Sequence, residues 1–343
     1  MKVKRLSLLV ASICLVLMFL SLSLIAEKAL AQPKTYNWKM TSTFPAGHST
    51  NRHLAEFAKA LGERTNGAVK ITFYEGTLGA PNDQWDMLKT NAIQFTYVAE
   101  AYSVGRMPIG SLFNMPFEVP NVATCHAVAN EWLKAGYMKE LTDNFKVLYP
   151  SPTYPQQMYL RNKKVTTLED LKGMKVRSVS GIQGQAIIAL GATGISTSGG
   201  EVYMALQTGV IDCTVTGIDN YMERKFYETT KYAMKFPLYG GSFWPSMNKE
   251  TWNTLPVDLQ KLIEHIAQEI SISNLKRLID EENGLWEAAI KKGVEVYNIS
   301  PEEQARWKKA TASVADKYVQ EWEAKGYPAK GSLELMRKVV SKN

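Results

Sequence analysis

The chain has 343 residues, with 40 Lys and Arg against 33 Asp and Glu, and is 45% hydrophobic and 21% charged. That excludes a peptide-sized module and a disordered chain, and the length suits two lobes or one large domain. The formal charge of +7 invites a nucleic-acid reading.

Much of that excess sits at the front. Lys2, Lys4 and Arg5 precede a nearly unbroken apolar run from Leu6 to Ala26, and Ala29-Leu30-Ala31 supplies small residues at a cleavage site. This three-part layout predicts a secretory signal peptide over residues 1–31, cut before Gln32, rather than a membrane anchor. Its removal takes four basic residues and one acidic one, leaving 312 residues and a formal charge of +4. The remaining basic residues are interspersed with acidic ones, so no nucleic-acid partner is expected. Cys125 and Cys213 stay; export permits a disulfide between them, and the sequence leaves that open.

From Gln32 onward, short apolar strands alternate with amphipathic helices. Tyr36 to Thr43 reads as a strand and Asn51 to Arg64 as a helix ended by Asn66-Gly67. Val69, Ile71 and Phe73 alternate as the next strand, Trp85 to Thr90 is helical, and Ile93 to Val98 is extended again. This βαβαβ rhythm predicts a parallel sheet covered by helices. A second α/β set follows Pro150, Pro152 and Pro155. It has a short helix at Thr167–Leu171, a strand at Met174–Val179 and a helix at Gly181–Leu190. Then come a helix at Glu201–Thr208, a strand at Ile211–Val215 and a helix from Gly217. Two such sets imply two lobes and a cleft. Pro256 to Lys292 would form one helix of ~55 Å, able to reach across both lobes. Ser300-Pro301-Glu302-Glu303 then offers an N-cap for a last long helix.

Enzyme signals are thin. His48, His53, His126 and His265 lack zinc-ligand spacing, so no metal or cofactor is expected. Ser246 and Lys249 match S-x-x-K, which makes a secreted serine hydrolase of the β-lactam-recognising type the alternative reading; its companion motifs are missing. The strand after Gly173 places Lys175 and Arg177 on one face. An arginine there could clamp a carboxylate through its planar fork, or equally sit in a surface ion pair.

At this point the sequence resembles the extracytoplasmic solute receptors of tripartite ATP-independent periplasmic (TRAP) transporters. Thr167 to Val179 resembles that family's segment ending in "kiRv". The run Ala189-Leu190-Gly191-Ala192 and then Glu201 to Asp212 is similar to its "evytALqtGvvDg" signature, and Thr72 to Gly79 is similar to "vypggqLG". The resemblance spans Tyr36 to Asn298. It implies a two-lobed periplasmic binding protein fold, α/β, with a hinge and a long helix bridging both lobes. Lobe I would comprise 32–154 plus 243–281, and lobe II 155–242 plus 282–343. It also implies a monomeric receptor in the periplasm. The receptor would not be an enzyme; it would bind a small organic acid and deliver it to the membrane subunits of a TRAP transporter. Arg177 matches the family's carboxylate-clamping arginine. Gln157 falls where some members carry a second arginine, with Arg161 four positions on. Gly199 stands in place of a bulky aromatic, which would leave room for a larger or aromatic ligand. Thr216 replaces a frequent Asn. Thr43, Phe44, Glu100, Tyr102, Ser180, Asn220, Phe243 and Trp244 complete the expected lining.

Overall fold

The structure is a computed structural model that describes residues 34–103, 105–178, 181–197 and 199–342; the expected signal segment and Ser180 lie outside the described residues. The described residues form two mixed sheets flanked by helices, joined by two crossing segments.

In the first lobe, β1 (Tyr36–Ser42), β2 (Val69–Glu75) and β3 (Phe95–Ala99) are parallel, with α1 (Arg52–Arg64) and α2 (Gln84–Lys89) between them. Leu54, Phe57 and Leu61, spaced for one helix face, bury against this sheet. After α3 (Val122–Lys134) and α4 (Lys139–Thr142), the chain adds the short strands β4 (Phe145–Val147) and β5 (Ser151–Pro152).

The chain then crosses into the second lobe. That lobe contains β6 (Gln156–Leu160), β7 (Lys175–Ser178), α5 (Gly181–Ala189), β8 (Thr193–Ser196), α6 (Val202–Thr208), β9 (Cys213–Thr216), α7 (Ile218–Glu223) and β10 (Tyr232–Tyr239). Strand β11 (Ser242–Asn248) returns to the first lobe. The sheet orders are β2-β1-β3-β11-β4, with β5 beside β11, and β12-β10-β6-β9-β7-β8, where β12 is Glu295–Tyr297.

The parallel sheet expected for the first lobe is therefore corrected to a mixed one. Because β11 enters from the hinge, it runs antiparallel to β3 and β4. The two crossings lie side by side: Thr153 donates from its backbone N–H to the Gly241 carbonyl at 2.9 Å, and Phe243 pairs with Ser151.

After the short α8 (Lys249–Asn253), α9 (Val257–Lys291) spans 35 residues, ~52 Å at 1.5 Å per residue. Its Ile263, Ile266, Ala267 and Ile270 bury in the first-lobe core, whereas Trp286 and Ala289 bury in the second. A second helix also bridges. In α10 (Pro301–Ala324), Trp307 packs in the second lobe's core, while Val314 and Tyr318 join the cluster around Phe113 and Trp132. Ser300 caps it, accepting from the Glu303 N–H at 3.3 Å. The last helix, α11 (Ala329–Val340), packs on α3, where the Trp132 indole donates to the Ser332 carbonyl at 2.9 Å. Cys125 and Cys213 are both buried free thiols in separate core clusters. No helix among the described residues is long and apolar enough to cross a membrane.

Candidate functional site

Parallel strands leave their carboxyl ends facing a crevice, the usual location of ligands in open α/β sheets. Here both sheets aim such ends at one cleft. Phe44 follows β1, Glu100 follows β3, Arg177 lies near the end of β7, and Thr216 ends β9. These four line an interlobe cavity of ≈ 120 Å³, together with Tyr102, Gly199, Asn220 and Phe243. Eight of the twelve expected residues thus converge there.

Arg177 is only 6% exposed. Its Nε and Nη2 both donate to the Thr197 carbonyl, at 3.3 and 3.2 Å. Among the described residues no carboxylate lies within ion-pair distance of it. Burial lowers its pKa, Tyr102 opposes that, and the nearby Arg224 adds to it. The group stays a cation, and an unneutralised buried cation costs several kcal/mol. Such a charge in a cleft marks a place for an anion.

One side of the cavity is aromatic. Phe44 stacks on His48 with centroids 4.2 Å apart and meets Phe243 edge-on at 5.7 Å. From the second lobe comes a polar chain on successive turns. The Asn220 amide donates to Thr216 Oγ1 at 2.8 Å, and Arg224 Nε donates to Asn220 Oδ1 at 2.7 Å. At the hinge, Glu100 Oε1 accepts from the Ser242 N–H at 3.3 Å. Burial raises its pKa to about 7, against backbone N–H groups and the Trp244 indole, which faces it without closing a hydrogen bond of normal geometry.

Three expected residues are not brought to the cavity. Strand alternation turns Gln156 into it, whereas Gln157 is buried with its amide oxygen near the Tyr159 hydroxyl. The same alternation puts Phe243 on the cavity and Trp244 in the core, 6.4 Å from Phe113. Thr43 is bonded to the Tyr97 hydroxyl behind the aromatic wall. Arg161 reaches the Gln207 carbonyl, away from the cleft. Arg224, His48 and Asp219 line the cavity and escaped the sequence reading; only the i, i+4 spacing of Asn220 and Arg224 signalled one of them.

Ser246 and Lys249 do not form a dyad. The buried Ser246 hydroxyl donates to the Trp244 carbonyl at 2.8 Å, and the Lys249 amine donates to the Thr142 and Asp143 carbonyls at 2.9 and 3.0 Å. The hydrolase alternative has no support in this geometry.

The profile of bacterial extracellular solute-binding protein family 7 matches residues 40–321 of the chain. The chain belongs to that family. A relative, the monocarboxylate 2-oxoacid-binding periplasmic protein of Nostoc sp., is 28% identical over 254 residues, covering 70% of this chain and 67% of the relative. Among solved structures, a marine metagenome TRAP solute binding protein specific for aromatic acid ligands, from an unidentified microbe, superposes with a TM-score of 0.83. It is 21% identical over 90% of this chain and 99% of the other, and holds metahydroxyphenylacetate. A TRAP solute binding protein from Rhodoferax ferrireducens, with copurified benzoate, gives a TM-score of 0.81 at 22% identity, covering 90% and 98%. At these identities the likeness establishes the two-lobed fold. The family match makes this chain a bacterial extracellular solute-binding protein.

Proposed function

We propose that the ligand is a monocarboxylate with a flat, ring-sized body, its carboxylate held by Arg177 and its body set against Phe44 and Phe243. The observation that carries this reading is the buried Arg177 guanidinium, which faces the cavity with no acidic partner among the described residues. A fork of this kind gives two parallel charge-assisted hydrogen bonds to a carboxylate. The cavity of ≈ 120 Å³ is of the order that holds one aromatic ring, since an apolar cavity of about 150 Å³ takes up benzene. The Nostoc relative is named for monocarboxylate binding, and the two structural neighbours hold ring carboxylates, which supports the reading.

The receptor performs no catalytic step on this reading, and it is exported by cleavage before Gln32. On this reading the lobes keep the bounds expected above, except that Ala329–Val340, which packs on α3, is assigned to the first lobe and α10 is shared between the two.

A thermal-shift panel of benzoate, phenylacetate and pyruvate against the matching amides tests the reading. Ligand at a hundredfold excess over Kd stabilises by about 2.7 kcal/mol. A ring carboxylate is expected to raise Tm and its amide to leave it unchanged. Equal shifts from acid and amide, or none from any acid, would remove the carboxylate clamp.

A further inference from the structure

Arg224 stands on the turn after α7, and Arg177 on β7, yet both guanidinium groups are anchored to one loop. Arg177 donates to the Thr197 carbonyl, and Arg224 Nη1 donates to the Gly199 carbonyl at 3.2 Å. Carbonyls two residues apart lie within about 7 Å, because successive Cα atoms are 3.8 Å apart. The two cations therefore converge on the same cavity, and both line it.

Arg224 is held as firmly as Arg177. Asn220 fixes its Nε, and the Gly199 carbonyl fixes Nη1. Nη2 rests over Gly199, where a Cβ would sit 3.6 Å from it. The space that the sequence assigned to a bulky ligand is thus occupied by this guanidinium, and a large side chain at 199 would displace it. Among the described residues Arg224, like Arg177, has no carboxylate within ion-pair distance. Two like charges brought together without a counter-ion repel, and one shared anion relieves both.

We propose that Arg224 is a second carboxylate-binding residue, and that it and Arg177 grip one ligand carboxylate from two sides. One carboxylate rather than two is favoured by the rest of the lining. The described lining holds no lysine and no third arginine, His48 faces Glu223, and Glu100 and Asp219 are themselves acids, so a second anion finds no cation to meet it there. Glycine at 199 is then a specificity element, since it makes room for the second cation. This deepens the monocarboxylate reading above and rests on it.

The test compares benzoate with benzamide, titrated against the wild type, Arg177→Ala, Arg224→Ala, Arg224→Lys and Gly199→Leu. Tm without ligand verifies that each variant is folded. The expected result is that Arg224→Ala and Gly199→Leu each cut the benzoate-over-benzamide preference at least tenfold, with Arg224→Lys restoring part of it. An Arg224→Ala variant that keeps the wild-type preference, or weakens acid and amide alike, overturns the proposal and shows that Arg224 only props the loop; the Arg177 reading then stands. If the wild type binds no benzoate, or Arg177→Ala prefers benzoate as strongly as the wild type, the monocarboxylate reading fails and this inference fails with it.

Discussion

Glu100 shows how a single buried group ties the hinge to pH. It is 5% exposed, touches the second crossing through the Ser242 N–H, and has its pKa raised by burial to about 7. In the unfolded chain a glutamate titrates near 4.3. Between these values the folded protein holds a proton that the unfolded chain has released, so stability falls as pH rises from about 4.5 to about 7. Glu100→Gln removes that dependence. The variant should match the wild type at pH 4 and exceed it by ~1–3 kcal/mol at pH 8, read from urea midpoints at each pH. Parallel curves for the two proteins would show that Glu100 ionises freely. His53 acts with the opposite sign. Burial first, and then Arg277, lowers its pKa to about 3, so this group loses stability for the protein as pH falls below the usual histidine range.

At the scale of elements, the hinge is two adjacent crossing segments packed without slack. A Cβ on Gly240 would lie 2.9 Å from Val119 Cβ, a branch point with no freedom to swing aside. Gly240→Ala should therefore cost ~1–3 kcal/mol, seen as a lower Tm with an unchanged far-ultraviolet spectrum. An unshifted Tm would mean that the α3 entry gives way instead.

The elements themselves were largely legible. Period-2 runs located β1 and β2, an apolar run located β3, and the Pro256–Lys292 pattern foresaw α9 to within a residue at each end. What periodicity could not show was pairing. Nothing in the local pattern of Ser242–Asn248 says that it runs against β3, because that direction comes from the chain's return through the hinge. The candidate cavity was legible wherever the end of a strand lines it, as at Arg177, Phe44 and Thr216. It failed by one residue at Gln156 and Gln157, since register decides which side chain faces inward. Arg224 stayed hidden because its meaning lies in contact with Gly199, which the sequence sets 25 residues away.

For the whole molecule, the lobes are latched across the mouth of the cleft. Glu223 of the second lobe accepts from the Ser49 N–H of the first at 3.0 Å, and its other oxygen lies 2.9 Å from His48 Nε2. A ligand that binds only the closed form sees its affinity scaled by the fraction closed. Glu223→Gln keeps an acceptor for Ser49 but loses the charge opposite His48, at ~0.5–1.5 kcal/mol. Affinity should fall about two- to tenfold, and small-angle scattering of the ligand-free variant should show a larger radius of gyration than the wild type. Identical scattering and affinity would mean that other interlobe contacts hold the closed form. Among those contacts, Gln183 of α5 donates to Asn114 Oδ1 of the first lobe at 2.8 Å.

In the proposed function, ligand recognition turns on one guanidinium between two lobes. Calorimetric titration of benzoate into the wild type and into Arg177→Ala tests it most directly. Truncating one partner of a buried charged pair costs about 2–5 kcal/mol, so the variant should bind at least thirtyfold more weakly while its Tm without ligand is maintained or raised by loss of the buried charge. Equal affinity in a folded Arg177→Ala variant would contradict the account.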